Sequence, residues 1–214
     1  MRHRKLAVVA VVLANVALAD SSRDAPVCPG WGMTGPATAS YVAILDHEVR
    51  YGGETSLHLA SRARQTREFG GVMQSLRADH YRGKRVRYAA FVRTENVVDG
   101  AGLWLRADAA DGRVQAFDNM MVSRRALKGT REWAEYEVVL DVPESAAGLY
   151  FGIVLAGDGA MWVDSARLEE VGPDVAVTSP TGVPLSVNGP ALATFPVAPR
   201  NLDFEDAAPD SPGA

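Results

Sequence analysis

Residues 135–169 read EYEVVLDVPESAAGLYFGIVLAGDGAMWVDSARLE. Tyr136, Val138, Leu140 and Val142 alternate with Glu135, Glu137 and Asp141, the two-residue period of a strand with one buried face. Gly148–Ala156 is apolar nearly throughout and short, as a central strand covered on both sides must be. Met161–Glu169 closes the run as a third strand. The joints, Val142-Pro143-Glu144 and Ala156-Gly157-Asp158-Gly159, are turn chemistry. Proline presets one backbone angle there, and glycine reaches angles closed to other residues. Strands joined this closely pair antiparallel, because a parallel crossover needs about a dozen residues or more.

The same cadence extends upstream through Ser40–Leu45, Ser56–Leu59, Gly71–Leu76, Arg85–Thr94 and Gly102–Ala107. Val86, Tyr88, Ala90 and Val92 share one face, with Arg87 and Arg93 on the other. Leu103 and Leu105 oppose Trp104 and Arg106. Ala116–Met120 and Lys128-Gly129-Thr130 with Trp133 fill the interval, and Trp133 and Trp162 are expected to anchor their strands in the core. The separators are Tyr51-Gly52-Gly53, Tyr81-Arg82-Gly83, Asp99-Gly100 and Asp111-Gly112. No helical period exceeds two turns; residues 62–70 and 76–82 have room for one turn each. The pattern predicts an all-β fold, a jelly-roll β-sandwich of two antiparallel sheets over residues 37–172.

The flanks differ from this body. Met1-Arg2-His3-Arg4-Lys5 is basic, Leu6–Val16 is apolar but for Asn15, and Ala17-Leu18-Ala19 is a small-x-small site. Residues 1–19 therefore read as a secretory signal, which predicts an exported protein, periplasmic or extracellular, with no membrane association after cleavage. Loss of Arg2, Arg4 and Lys5 makes the formal charge of −4 three units more negative. An acidic chain is a poor partner for nucleic acid or anionic lipid. Residues 20–36 read as a flexible lead-in, and 173–199 as a Pro-rich linker or strap. Residues 207–214 read as a disordered tail. The lone Cys28 cannot close an internal disulfide and is expected as a free or intermolecular thiol. The oligomeric state is open.

Catalytic signatures are missing from the sequence. His3, His47, His58 and His80 have no metal-ligand spacing, and no Gly-x-Ser-x-Gly elbow occurs. Asp46 with Glu48, and Asp108 with Asp111, are carboxylate pairs in turn-rich context and read as solvated loop acids. Arg62, Arg64 and Arg67, and Arg124, Arg125 and Lys128, read as solvated faces. The expectation is a protein that is not an enzyme.

Tyr51-Gly52-Gly53 with Ser56-Leu57, the Ala116–Met120 box, Lys128-Gly129-Thr130 with Trp133, and Trp162-Val163-Asp164 resemble bacterial galactose-binding-like jelly rolls, related in shape to carbohydrate-binding modules. Domains of this kind accompany erythromycin-esterase-like and C-terminal-processing-peptidase-like proteins and chains labelled transcriptional regulators. Such domains open with Asn-Leu-Asp-Phe-Glu before the Gly-Gly turn; here those residues stand at 201–205. Residues 200–206 are thus either an edge strand returning to complete the sandwich or the start of a truncated repeat. The resemblance implies a structural calcium held by Asp164, Glu205 and a carbonyl near Gly53, oxygen ligands that suit that ion. No other cofactor is implied. It also implies a glycan or cell-envelope ligand, for which Trp104, Arg106, Phe117, Asp118 and Asn119 combine stacking faces with hydrogen-bonding groups. The alternatives are a structural or interaction sandwich that pairs through a sheet edge or Cys28, and a regulatory accessory protein.

Overall fold

The computed structural model describes residues 27–62, 68–122, 124–178 and 195–207. The expected signal, most of the strap and the last seven residues of the tail lie outside the described residues. The elements within them are β1 (Gly32–Thr34), β2 (Tyr41–Asp46), β3 (Ser56–Ser61), β4 (Phe69–Arg77), β5 (Arg85–Asp108), β6 (Val114–Asn119), β7 (Leu127–Asp141), β8 (Gly148–Ala156) and β9 (Ala160–Val171). Among the described residues the only helix is the 3-10 turn Thr38–Ser40.

The sandwich is built around β5, which belongs to both layers. Its first half, Arg85 to Glu95, pairs with β7 and β9; its second half, Gly100 to Asp108, pairs with β8 and β6. One layer is therefore β2-β3-β9-β5-β7 and the other β1-β4-β8-β5-β6, every pairing antiparallel. The crossing is a kink rather than a break. Register against β7 shifts at Thr94, Val97 and Ala101, and Asn96 takes a left-handed φ of 52°. Asp99-Gly100, expected to separate two strands, lies inside this continuous ribbon.

Alternation then fills the space between the layers. One layer contributes Leu57, Leu59, Tyr88, Val92, Val138 and Val163; the other contributes Val72, Leu103, Leu105, Phe151, Ile153 and Leu155, all fully buried. β8 is buried along its whole length, as its unbroken apolar composition requires of a strand between β4 and β5.

Two flanking segments join this core. Residues 27–36, expected as a flexible lead-in, instead make a Cys28–Trp31 bridge and strand β1, and Trp31 is buried. Residues 200–206 form no strand. They cap the open end of the sandwich: Phe204 is fully buried and its ring lies 5.1 Å from that of Trp31, which in turn meets Phe151 edge-on at 5.7 Å. Trp31 Nε1 donates to the Asn201 carbonyl, and the Ala166 amide donates to that of Leu202. That amide is available because β9 bulges at Ser165, which has a φ of 50°, and the register with β5 shifts there.

Cys28 is fully buried, and desolvation pushes its thiol up to about 12. A neutral thiol inside the core is a small hydrophobe, so it offers no intermolecular disulfide while the domain is folded.

Candidate functional site

The layer β1-β4-β8-β5-β6 turns one face to the core and the other outward. Register decides the outward neighbours, because residues directly opposite on paired strands share a side. Trp104 stands opposite Asn119 on β6 and Gly152 on β8; Arg106 stands opposite Phe117 and Tyr150. A shallow cleft of about 20 Å³ opens on this face, lined by Thr34, Phe69, Gly71, Trp104, Phe117 and Asn119 together with β8. Gly152 lies between Met73 and Trp104 in the row across the sheet, and a Cβ there would come within 2.1 Å of the Val72 carbonyl oxygen. The missing side chain lets the backbone of β4 lie close against β8 at this point.

Four of the five expected ligand residues thus share this face: Trp104, Arg106, Phe117 and Asn119. Trp104 is 4% exposed and packs in a second apolar cluster with Phe69, Tyr150 and Val154, while Phe117 is half-buried at its margin. Asn119 Oδ1 accepts from the Met121 amide at 2.8 Å, which fixes the amide group at the end of β6. Asp118 is the exception. It opposes Leu105, so it points to the other side of the sheet. There it is buried, ion-paired with Arg125, and accepts the hydroxyl of Thr178, whose backbone pairs with Val139 of the other layer. Asp118 fastens the seam between the layers rather than lining the cleft.

Beyond Trp104 the face becomes polar. Arg106 and Asp108 form an ion pair at 2.9 Å with both side chains almost fully buried, and the Arg106 guanidinium lies 4.6 Å from the Tyr150 ring centroid. Burial outweighs the arginine and pushes the Asp108 carboxyl up to about 6. Desolvation likewise raises the Tyr150 phenol to about 12. Asp108 and Tyr150 were not among the expected site residues. Asp108 follows Trp104 and Arg106 at the same two-residue interval, a signal masked by the turn residues after it; Tyr150 was assigned only to a buried strand.

The two expected calcium ligands converge on one loop. Asp164 Oδ2 accepts from the amides of Tyr51 at 2.9 Å and Gly52 at 3.0 Å, and its Oδ1 from the Ser165 hydroxyl at 3.2 Å. Glu205 Oε1 accepts from the amides of Glu54 at 2.9 Å and Thr55 at 3.3 Å. Both Asp164 oxygens and Glu205 Oε1 are thus engaged by donors of the protein itself. Among the described residues no group of three Asp, Glu, His or Cys side chains converges as a metal site. The carboxylates instead hold Tyr51 in place, its ring stacked on Phe91 at 3.6 Å with Trp133 5.9 Å away.

Trp133 and Trp162, expected in the core, both lie on the outward face of the other layer. Trp133 is half-buried beside Tyr51. Trp162 is sandwiched between His58, stacked at 4.4 Å, and Arg93 at 5.2 Å, and donates its indole N–H to Asp46 at 2.8 Å. Asp46 also accepts from the amides of Glu48 and Val49, and Asp111 lies beside the exposed Arg113. Neither expected carboxylate pair therefore faces a common space.

No protein-family model matches the chain. Over 178 residues it is 38% identical to the uncharacterized HTH-type transcriptional regulator YbfP of Bacillus subtilis (strain 168), a match covering 83% of this chain and 57% of that protein. The chain thus spans little more than half the length of its curated relative. In structure it is similar to the enzymatically active domain of tailspike protein 4 of bacteriophage CBA120, with a TM-score of 0.51 at 12% identity over 67% of this chain and 20% of that one. A xylan-binding domain from CBM 22 superposes with a TM-score of 0.49 at 17% identity, over 66% of this chain and 87% of that domain. The similar solved structures thus include carbohydrate-binding modules, and the fold is an all-β sandwich.

Proposed function

We propose that this chain is an exported, non-catalytic saccharide-binding β-sandwich whose ligand lies on the outward face of β4, β8, β5 and β6. One observation carries this reading: strands β1, β4, β5 and β6 bring Thr34, Phe69, Trp104, Phe117 and Asn119 to a single cleft. Aromatic faces with a few fixed polar groups are the usual make-up of a small-ligand site. Asp108 is the carboxyl nearest this cleft along β5, and its charge is matched by Arg106. Glycoside hydrolysis needs two carboxyls flanking one bond, so the face supports holding a sugar rather than cleaving it.

A second reading rests on the regulator relative. A helix-turn-helix needs two helices, and among the described residues the only helix has three. In that reading the chains share the part of the regulator that senses a ligand rather than the part that reads DNA. The same cleft then senses a small effector. Both readings place a ligand in one cleft and differ in what binding triggers.

The test is direct binding to immobilised xylohexaose, cellohexaose, maltohexaose and trigalacturonate. Trp104→Ala should weaken binding of the preferred glycan by about 30-fold or more, the loss expected of a hot-spot aromatic. Phe117→Ala, at the more open margin, should weaken it while leaving the circular dichroism spectrum intact. Wild-type affinity in both variants would move the ligand elsewhere.

A further inference from the structure

The Arg106, Asp108 and Tyr150 cluster lies on the outward face of a sheet, yet it is buried and incompletely bonded. Arg106 Nε and Nη2, both Asp108 carboxylate oxygens and the Tyr150 hydroxyl lack well-directed hydrogen bonds, although Arg106 lies beside both Asp108 and Tyr150. The 2.9 Å contact between Arg106 and Asp108 is an ionic approach whose angle falls outside hydrogen-bond geometry. Buried polar atoms are almost always bonded in folded proteins, so several together on one face require a reason. Tyr150 also joins the cluster that contains Trp104 and Phe69, so the polar group is the continuation of the aromatic cleft.

We infer that Arg106, Asp108 and Tyr150 form the polar end of the ligand site and take a pair of adjacent hydroxyls from an uncharged sugar ring. This deepens the saccharide reading and rests on it. A guanidinium donates, a carboxylate accepts, and a phenol does either. A hydroxyl also does both, so two neighbouring hydroxyls complement the pair: one donates to Asp108 while the other accepts from Arg106. The pair is already neutral as a unit. A uronate would bring a negative charge beside Asp108 with no unmatched cation to receive it, and burying an unmatched charge is costly.

Phe195 bears on access. Its ring stands edge-on to Tyr150 at 5.9 Å and packs against the cleft's aromatic cluster, while the Pro196 carbonyl accepts from the Arg77 amide at the end of β4. This ring occupies the outer side of Tyr150, the place a sugar ring would take, and the ligand must displace it.

The experiment titrates the wild type, Tyr150→Phe and Phe195→Ala with xylohexaose, cellohexaose, maltohexaose and trigalacturonate by calorimetry, alongside thermal unfolding of each protein alone. Tyr150→Phe should weaken binding of a neutral glycan about 3- to 10-fold, the loss of one hydrogen bond. It should also raise Tm by about 2–4 °C, because it removes a poorly bonded buried hydroxyl. Opposite signs in affinity and stability are the signature of a ligand contact; a structural tyrosine would lower both or neither. Phe195→Ala should tighten binding about threefold or more, since the competing ring is gone. Unchanged affinity in Tyr150→Phe with binding still lost in Trp104→Ala would overturn this inference alone, as would a preference for trigalacturonate. Failure of all four glycans to bind the wild type would overturn both it and the saccharide reading.

Discussion

Replacing Phe204 with alanine should cost about 3–5 kcal/mol of folding stability, the range for truncating a fully buried phenylalanine. Its ring has no exposed area and packs on Trp31, which packs on Phe151, which lies 5.0 Å from Tyr88. The substitution therefore opens a void at the end of an aromatic column that runs through the core. Deletion of residues 196–214 should cost more. It also removes the carbonyls that receive Trp31 Nε1, the Ala166 amide and the Thr55 hydroxyl, and the Glu205 carboxylate that receives two loop amides. Thermal unfolding is the check: at about 2–4 °C for each kcal/mol in a chain of this size, the alanine variant should melt some 10 °C lower. An unchanged Tm would make the segment an ornament of the surface. Recovery of stability on adding a peptide spanning residues 196–207 would confirm that the cap acts through its contacts.

The sandwich was legible because its evidence is periodic. Alternation in β3, the first half of β5 and β7, and the unbroken apolar run of β8, are local signals that burial then satisfies. The layer change inside β5 was not legible. Asp99-Gly100 carries turn chemistry, and only pairing with both β7 and β8 keeps the strand continuous through it. β1 was hidden for a similar reason, since three residues between prolines and glycines show no period, and Trp31 owes its burial to Phe204 and Phe151, both distant in sequence. The cleft was half legible. The two-residue step from Trp104 to Arg106 put both on one face, and the strand after it was expected to supply Asp118 or Asn119. Register selected Asn119 and sent Asp118 to the seam. The tryptophans at 133 and 162 show the limit of composition alone. Large aromatics are usually core, but here they cover an outer face, shielded by Tyr51 in one case and by His58 and Arg93 in the other.

Asp108→Asn should cost little at pH 7, because a carboxyl lifted to about 6 beside Arg106 already favours its neutral form in the folded protein. Arg106→Met should likewise cost little, because the carboxyl left behind can take up a proton. The double variant should be near neutral or more stable than the wild type, as when a buried ion pair gives way to uncharged groups of like volume. Urea unfolding of the four proteins at pH 7 forms the cycle. A loss of about 3–5 kcal/mol in either single variant, the cost of breaking a charged buried pair from one side, would refute this. The pH dependence follows from the same shift. A carboxyl raised from about 4 when unfolded binds more protons folded than unfolded between about pH 4 and 6. Its contribution to stability is therefore greatest below about pH 4 and is lost as pH rises through 6. Subtracting the Asp108→Asn profile from that of the wild type should isolate a difference that falls across this window and is flat above it. A difference that rises with pH would mean that Arg106 dominates, with the carboxyl held below its unfolded value.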